Sequence, residues 1–237
     1  MGPTPIPLFW RRPVKKYTLC LVLLLGLPAF ATIASVQSNA NWSCSNSGTT
    51  ITCAVILTTQ PTTSKDLLVV WTFWQSTFPY TVTQVQDSVV PSNTFYSAVG
   101  PTLQSAASTP TSAQIFYAKN ITGTTPPNKD TVTVTFTCPS TNPSCTSPTI
   151  TAGGVVAVEY SGADLNYPLD SVSAGYSTAG NPTGLLDSGT VAPANANLLL
   201  FGGGTTDYIA RLAGSRERVH GDSVDFRQHH GADDRVG

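Results

Sequence analysis

The chain has 237 residues, a formal net charge of −1 and charged side chains at only 11% of its positions. In the body of the chain, residues 35–204, the basic residues are three lysines, which is too few for the phosphate contacts of a nucleic-acid-binding protein. All histidines lie beyond residue 205, so the body has no imidazole for a catalytic triad or a zinc site.

Residues 1–34 have the layout of a secretory signal peptide. Four basic residues precede an apolar run at 19–30, and small residues follow at Ala31 and Ala34. The run is shorter than the roughly 20 residues that a membrane-spanning helix needs. We therefore expect cleavage after Ala31 or Ala34, and a mature protein that is secreted or held at the cell surface without further membrane contact.

The body contains four cysteines, an even number that suits an oxidising compartment. Turn sequences between near neighbours favour the pairs Cys44 with Cys53 and Cys138 with Cys145. Each pair would be a local staple that contributes roughly 2 to 3 kcal/mol. The alternative is a zinc site, although these spacings exceed the usual two to four residues between zinc-binding cysteines.

Alternation with period two dominates the body and predicts an all-β fold. It is clearest at 130–137, where Val132, Val134 and Phe136 face one way and threonines the other. Turn-forming clusters of Pro, Gly, Asn and Ser separate further runs at 49–57, 67–74, 94–99, 114–121, 155–160 and 198–201. This pattern predicts one antiparallel β-sandwich domain at 35–204, immunoglobulin-like or jelly-roll.

The run Leu-Leu-Val-Val-Trp-Thr-Phe-Trp at 67–74 is apolar on both faces of the pleat. Trp71 and Phe73 point to one side, and Thr72 and Trp74 to the other. Both sides cannot belong to the same core, so one needs a second cover. The segment 161–197 is one candidate. The other is a partner or a sugar ring that stacks on Trp74, which makes Trp74 the predicted ligand-binding residue.

Several short patterns in a fixed order resemble a group of secreted bacterial modules. The matching segments are Leu-Leu-Val-Val-Trp-Thr-Phe-Trp at 67–74, Val-Gln-Asp-Ser at 85–88, Asn-Thr-Phe-Tyr at 93–96, Ala-Gln-Ile-Phe-Tyr-Ala-Lys-Asn-Ile-Thr at 113–122, Thr-Val-Thr-Val-Thr-Phe at 131–136, Val-Glu-Tyr-Ser-Gly at 158–162 and Pro-Leu-Asp at 168–170. The resemblance covers about residues 65–204. It implies β-sandwiches strung along large extracellular or cell-surface proteins of environmental bacteria, with no assigned ligand and no catalytic residues to transfer.

The tail, residues 205–237, departs from that pattern and is rich in charge. After Leu-Leu-Leu-Phe-Gly-Gly-Gly at 198–204, the resembling modules continue through a Gly-Ser-Gly-Phe-Thr-like turn into further strands. Codons for residues 216–220 can be chosen that give this turn when read one base out of frame. The tail is accordingly interpreted as frameshifted, which would leave the sandwich without its C-terminal strands, or as a disordered segment. A metal-binding tail built on His229 and His230 is the third alternative.

Carboxylates suggest two further sites in the body. A loop at 161–166 follows a predicted strand, and oxygen ligands on Asp164, Asn166 and Asp170 suit a calcium ion, the one cofactor that the sequence suggests. Glu159 with Asp164 or Asp170 is the only local pair that a glycosidase could use.

These observations favour a non-catalytic, secreted or surface-displayed interaction module. Its expected partners are a polysaccharide or neighbouring extracellular domains, bound through aromatic stacking and hydroxyl contacts in an adhesive role. A secreted carbohydrate-active hydrolase that uses Glu159 and a nearby aspartate is one alternative, and a purely structural spacer is the other.

Overall fold

The structure of the chain is a computed structural model. It describes residues 32–47, 49–104, 110–139, 145, 150–175, 188, 190, 192, 194, 198–205 and 210–217. The chain divides into two compact units at the Ala31–Thr32 boundary. The first unit, which contains the predicted signal peptide, lies outside the described residues, as do the histidines of the tail.

The described residues form eleven β-strands. They are β1 (Ala34–Asn41), β2 (Cys44–Ser47), β3 (Thr50–Leu57), β4 (Leu67–Gln75), β5 (Thr81–Gln86), β6 (Tyr96–Gln104), β7 (Thr111–Ala118), β8 (Asp130–Thr137), β9 (Ala152–Ser161), β10 (Leu199–Thr205) and β11 (Ala210–Glu217). In this part of the chain no helix is long and apolar enough to cross a membrane.

Two antiparallel sheets confirm the predicted β-sandwich. One sheet has five strands in the order β1-β9-β4-β7-β6, and the other has four in the order β2-β3-β8-β5. Strands β10 and β11 form a separate antiparallel pair. β11 lies inside the segment that the sequence assigned to a disordered or frameshifted tail, so a paired strand extends past the predicted domain end at residue 204.

The core between the two sheets is built by alternation. Along β8, Val132, Val134 and Phe136 are buried and the intervening threonines are half-buried, as the sequence predicts. Trp74 of β4 packs on Phe136 from the opposite sheet, with ring centroids 5.1 Å apart. Burying side chains of this size supplies most of the favourable free energy of folding, at roughly 1.5–3 kcal/mol each.

A second apolar layer covers the outer face of the five-stranded sheet. Trp71 and Phe73 lie on this face and are buried, so β4 is covered on both sides. The cover comes from Leu199 and Phe201 of β10, together with partly buried residues that include Ala163. The backbone of β10 passes so close that a Cβ on Gly203 would lie 2.4 Å from the Trp71 ring. Leu199 and Phe201 therefore supply much of the second cover of β4, and they lie just beyond segment 161–197, which the sequence suggested for this role.

Side-chain amides on one face of β1 join the two sheets. Asn39 and Asn41 donate hydrogen bonds to the backbone carbonyls of Ile56 and Ala54 on β3, each at 2.7 Å. These carbonyls lie beyond the stretch of β3 that pairs with β2. The amides thus satisfy an open strand edge that would otherwise be left for another chain to pair with.

Both disulfides form with the predicted pairing. Cys44 and Cys53 are directly opposite each other on β2 and β3, with Cα atoms 4.3 Å apart. The Cα atoms of Cys138 and Cys145 are 5.9 Å apart. All four sulfurs are therefore engaged in disulfides, which excludes the zinc alternative for these cysteines.

Candidate functional site

Trp74, the predicted ligand-binding residue, is a core residue. Only 3% of its surface is exposed, and its ring packs on Phe136 between the sheets. No ring face is left on which a sugar could stack, so the structure corrects the role given to Trp74. The pleat did place Trp71 and Trp74 on opposite sides, but the sequence could not show that Trp74 faces the other sheet.

The proposed calcium ligands are engaged in other contacts. Asp164 Oδ1 accepts hydrogen bonds from the backbone N–H groups of Asn166 and Tyr167, at 2.7 and 2.8 Å. These two hydrogen bonds lower the pKa of Asp164, and the bond from the Tyr167 N–H has the larger effect. The Lys119 ammonium donates to the Asn166 carbonyl, and Asp170 accepts from the Ala194 N–H. These contacts describe a capped turn beside a cation; calcium binding stays a prediction. Nowhere in the described ranges do three His, Cys, Asp or Glu side chains gather closely enough to hold a metal ion.

An exposed group of tyrosines surrounds Lys119 on the outer face of the five-stranded sheet. Tyr96 and Tyr117 lie opposite each other on β6 and β7, with ring centroids 5.6 Å apart. The Lys119 ammonium lies 5.8 Å from the centroid of the Tyr96 ring and 5.6 Å from that of Tyr167. Both distances suit a cation–π contact. We call Tyr96, Tyr117, Tyr167 and Lys119 the tyrosine surface.

Local structure positions each member of the tyrosine surface. Strand pairing fixes Tyr96 beside Tyr117 because directly opposed side chains share a face of the sheet. Tyr117 also packs on the outer apolar layer, which anchors its ring. The turn capped by Asp164 holds Tyr167 above the lysine. Tyr96 is 44% exposed and Tyr167 84% exposed, so ring faces and hydroxyls are open to a ligand.

An open groove lies further along β6, the edge strand that carries Tyr96. It has a volume of about 700 Å³ and is lined by Gly100, Pro101, Thr102, Leu103, Ala174 and Gly175. Leu103 is half-exposed there. None of these six described residues is charged.

Glu159, the proposed catalytic residue, is completely buried. Its carboxylate accepts hydrogen bonds from Gln37 Nε2 and from the Thr63 N–H, both at 2.6 Å. Its acidic neighbour is Asp66, with which it shares a further hydrogen bond. Burial, that hydrogen bond and repulsion by Glu159 together raise the pKa of Asp66 to about 6. A polysaccharide cannot reach this pair, so the arrangement does not support the hydrolase alternative.

A second buried acidic group lies at the start of β8. Asp130 is fully buried and accepts hydrogen bonds from the Ser88 N–H and hydroxyl, at 3.2 and 3.0 Å. Burial, with a smaller contribution from the charge of Asp87, raises the pKa of Asp130. Asp87 is itself held by Ser92 and Asn93. This group ties the loop after β5 to β8.

The residues of the tyrosine surface were not identified from the sequence. Tyr96 and Tyr117 lie in predicted strands, and Lys119 is one of the few cations of the body. The available signal was a lysine two residues from a tyrosine at the end of a predicted strand. The antiparallel pairing of β6 with β7, which brings Tyr96 to that place, has no signature in the sequence.

Comparison with known proteins does not extend this description. The chain matches no protein-family model, and no curated protein and no solved structure is significantly similar to it.

Proposed function

We propose that this chain is a non-catalytic interaction module, secreted or displayed on a bacterial surface, that binds polysaccharide through the tyrosine surface. The main support for this proposal is that two exposed rings, Tyr96 and Tyr167, both contact the ammonium group of Lys119. Tyrosine presents a large, stiff apolar face with a hydroxyl at its edge, which suits the apolar faces and hydroxyls of sugars. Because Tyr117 is anchored in the sheet, its ring loses little entropy when a ligand binds.

Export is part of the proposal. Two disulfides are compatible with an extracellular location. Of the two predicted cleavage positions, Ala31 fits the fold better than Ala34. Ile33 packs on the outer apolar layer, and Gly162 lies against the Thr32 carbonyl, where a Cβ would come within 2.5 Å. A mature chain that begins at Thr32 keeps both contacts, and intact mass measurement of the secreted protein tests it.

Calorimetric titration of the full chain with cello-, xylo- and galacturono-hexasaccharides tests ligand binding. We expect Tyr167→Ala to lower the affinity about tenfold, since an aromatic contact is worth about 0.5–1.5 kcal/mol beyond its buried area. Tyr167→Phe keeps the ring and should retain most of the affinity. Trp42→Ala is the matched control, because Trp42 is also a half-exposed aromatic of the outer face.

The outcomes separate the alternatives. Binding that depends on Trp42 and not on Tyr167 would move the site along the sheet and contradict the proposal. Absence of binding in every form would favour the structural spacer. Hydrolysis of a hexasaccharide that Glu159→Gln abolishes would restore the hydrolase alternative.

A further inference from the structure

The buried acidic pair is linked to the tyrosine surface through a loop. Asp66 ends the connection between β3 and β4, and its backbone carbonyl accepts a hydrogen bond from the Ile121 N–H at 3.0 Å. The neighbouring Lys65 N–H donates to the Ile121 carbonyl at 2.8 Å. Ile121 is buried and lies two residues after Lys119. The loop at 58–66 therefore holds the segment that carries the lysine of the tyrosine surface.

Glu159 fastens this loop to the five-stranded sheet. Besides the Thr63 N–H, it binds Gln37, whose amide also donates to the Gln60 carbonyl at 2.9 Å. Two carboxyl groups can share a hydrogen bond only while a proton lies between them, and burial together with this acidic neighbour raises the pKa of Asp66. Loss of the proton leaves two buried negative charges facing each other.

In the part of the chain that the structure describes, the groups on neighbouring elements do not neutralise that repulsion. Gln37 of β1 is uncharged, and Lys65 is exposed to solvent. On the side of the four-stranded sheet, the hydroxyl of the buried Thr62 donates to Asp130 of β8 at 3.4 Å. Asp130 is a further acid, with Asp87 behind it. Each element packed here thus contributes an amide, a hydroxyl or another carboxyl group.

We propose that the Asp66–Glu159 pair is an acid-closed latch, which holds loop 58–66 and thereby keeps the tyrosine surface in its binding arrangement at acidic pH. At neutral pH, ionisation of Asp66 favours release of the loop, and with it of the segment at 119–125. Ligand is then held more tightly in acid than at neutral pH. The change in ligand affinity with pH rests on the proposed function, whereas the latch itself does not.

Hydrogen exchange of the ligand-free full chain tests the latch. Protection factors of the segments at 58–66 and 119–125, corrected for intrinsic exchange, are compared at about pH 5 and pH 7.5. In the wild type we expect protection to fall by up to about tenfold between these pH values, because the rest of the roughly 150-fold change that corresponds to a pKa displaced from 3.8 to about 6 takes place below pH 5. In Asp66→Asn, whose amide donates to Glu159 at either pH, protection should stay constant. Equal protection in the wild type at both pH values would overturn the latch.

Titration with the neutral cello- and xylo-hexasaccharides at the same two pH values tests the coupling. We expect a several-fold weaker affinity at neutral pH in the wild type and no change in Asp66→Asn. If a ligand binds equally well at both pH values, the coupling of the latch to ligand affinity is contradicted, but the latch itself is not. A pH-dependent protection without binding of any hexasaccharide contradicts the proposed function alone.

Discussion

Replacing Asp66 with Asn should remove an unusual dependence of stability on pH. Between about pH 4 and pH 6, the folded protein binds more protons at Asp66 than the unfolded chain does, because folding raises the pKa from 3.8 to about 6. The free energy of unfolding therefore falls as the pH rises through this window. The contribution of Asp66 is fully present below pH 3.8 and is lost above about pH 6.

The size of the effect follows from the pKa difference. A displacement of about two units, at 1.36 kcal/mol per unit, gives about 3 kcal/mol. This is a large share of the roughly 5–15 kcal/mol by which domains are stable. The buried Asp130 adds to the same trend, since burial raises its pKa as well.

Urea unfolding at several pH values between 4.5 and 7.5, followed by tryptophan fluorescence, measures the difference. Trp71 and Trp74 are buried and will report the transition. We expect the wild type to lose stability toward neutral pH and Asp66→Asn to lose about 2 kcal/mol less over this range, because the remainder of the roughly 3 kcal/mol is lost below pH 4.5. Lys65→Gln is the control, since it changes a neighbouring exposed charge and should keep the wild-type slope. Parallel curves for the wild type and Asp66→Asn would refute the reasoning.

Three further substitutions test the packing. Trp74→Ala should cost about 3–5 kcal/mol in urea unfolding, and protein that remains folded should bind glycan as the wild type does. Asn41→Ala should cost about 1 kcal/mol by the same assay, because it leaves the Ala54 carbonyl without its amide donor; a neutral result would mean that water replaces the amide. Gly203→Ala should displace β10 and shift the fluorescence of Trp71 to longer wavelength, since the new Cβ would lie 2.4 Å from that ring. An unchanged spectrum would contradict that packing.

Strands that alternate or that are apolar throughout could be predicted from the sequence. β8 and β4 show why: the threonines of β8 mark a wet face, and the apolar β4 requires cover on both sides. β1 was missed because its inward face carries Gln37, Asn39 and Asn41, which look like a polar linker. Their amide nitrogens donate to β3, Gln60 and Glu159, and these contacts bridge distant parts of the chain.

The candidate sites depend on such long-range pairing even more strongly. The sequence suggests Asp164 and Asp170, which lie close to Glu159 in the chain, as its partners. Its actual partner, Asp66, is brought to it from another strand connection. Sequence distance misled here because antiparallel pairing places Glu159 opposite Leu68, two residues from Asp66. The disulfides were predictable for the opposite reason, since each joins residues close in the chain.

The reading frame of the tail matters less for the hairpin of β10 and β11 than for the identity of the tail histidines. Leu199, Phe201 and Gly203, which contact the outer apolar layer, all precede residue 205. β11 contributes the backbone pairing of β10, and backbone N–H and C=O groups are supplied by any residue except proline, which has no N–H. A shift between residues 205 and 212 would therefore change the side chains of β11 and permit the same pairing. Resequencing the DNA across codons 195–237 determines the frame. In either frame we expect β10 to shield Trp71, and a corrected chain with a solvent-exposed Trp71 would show that β11 side chains hold the hairpin in place.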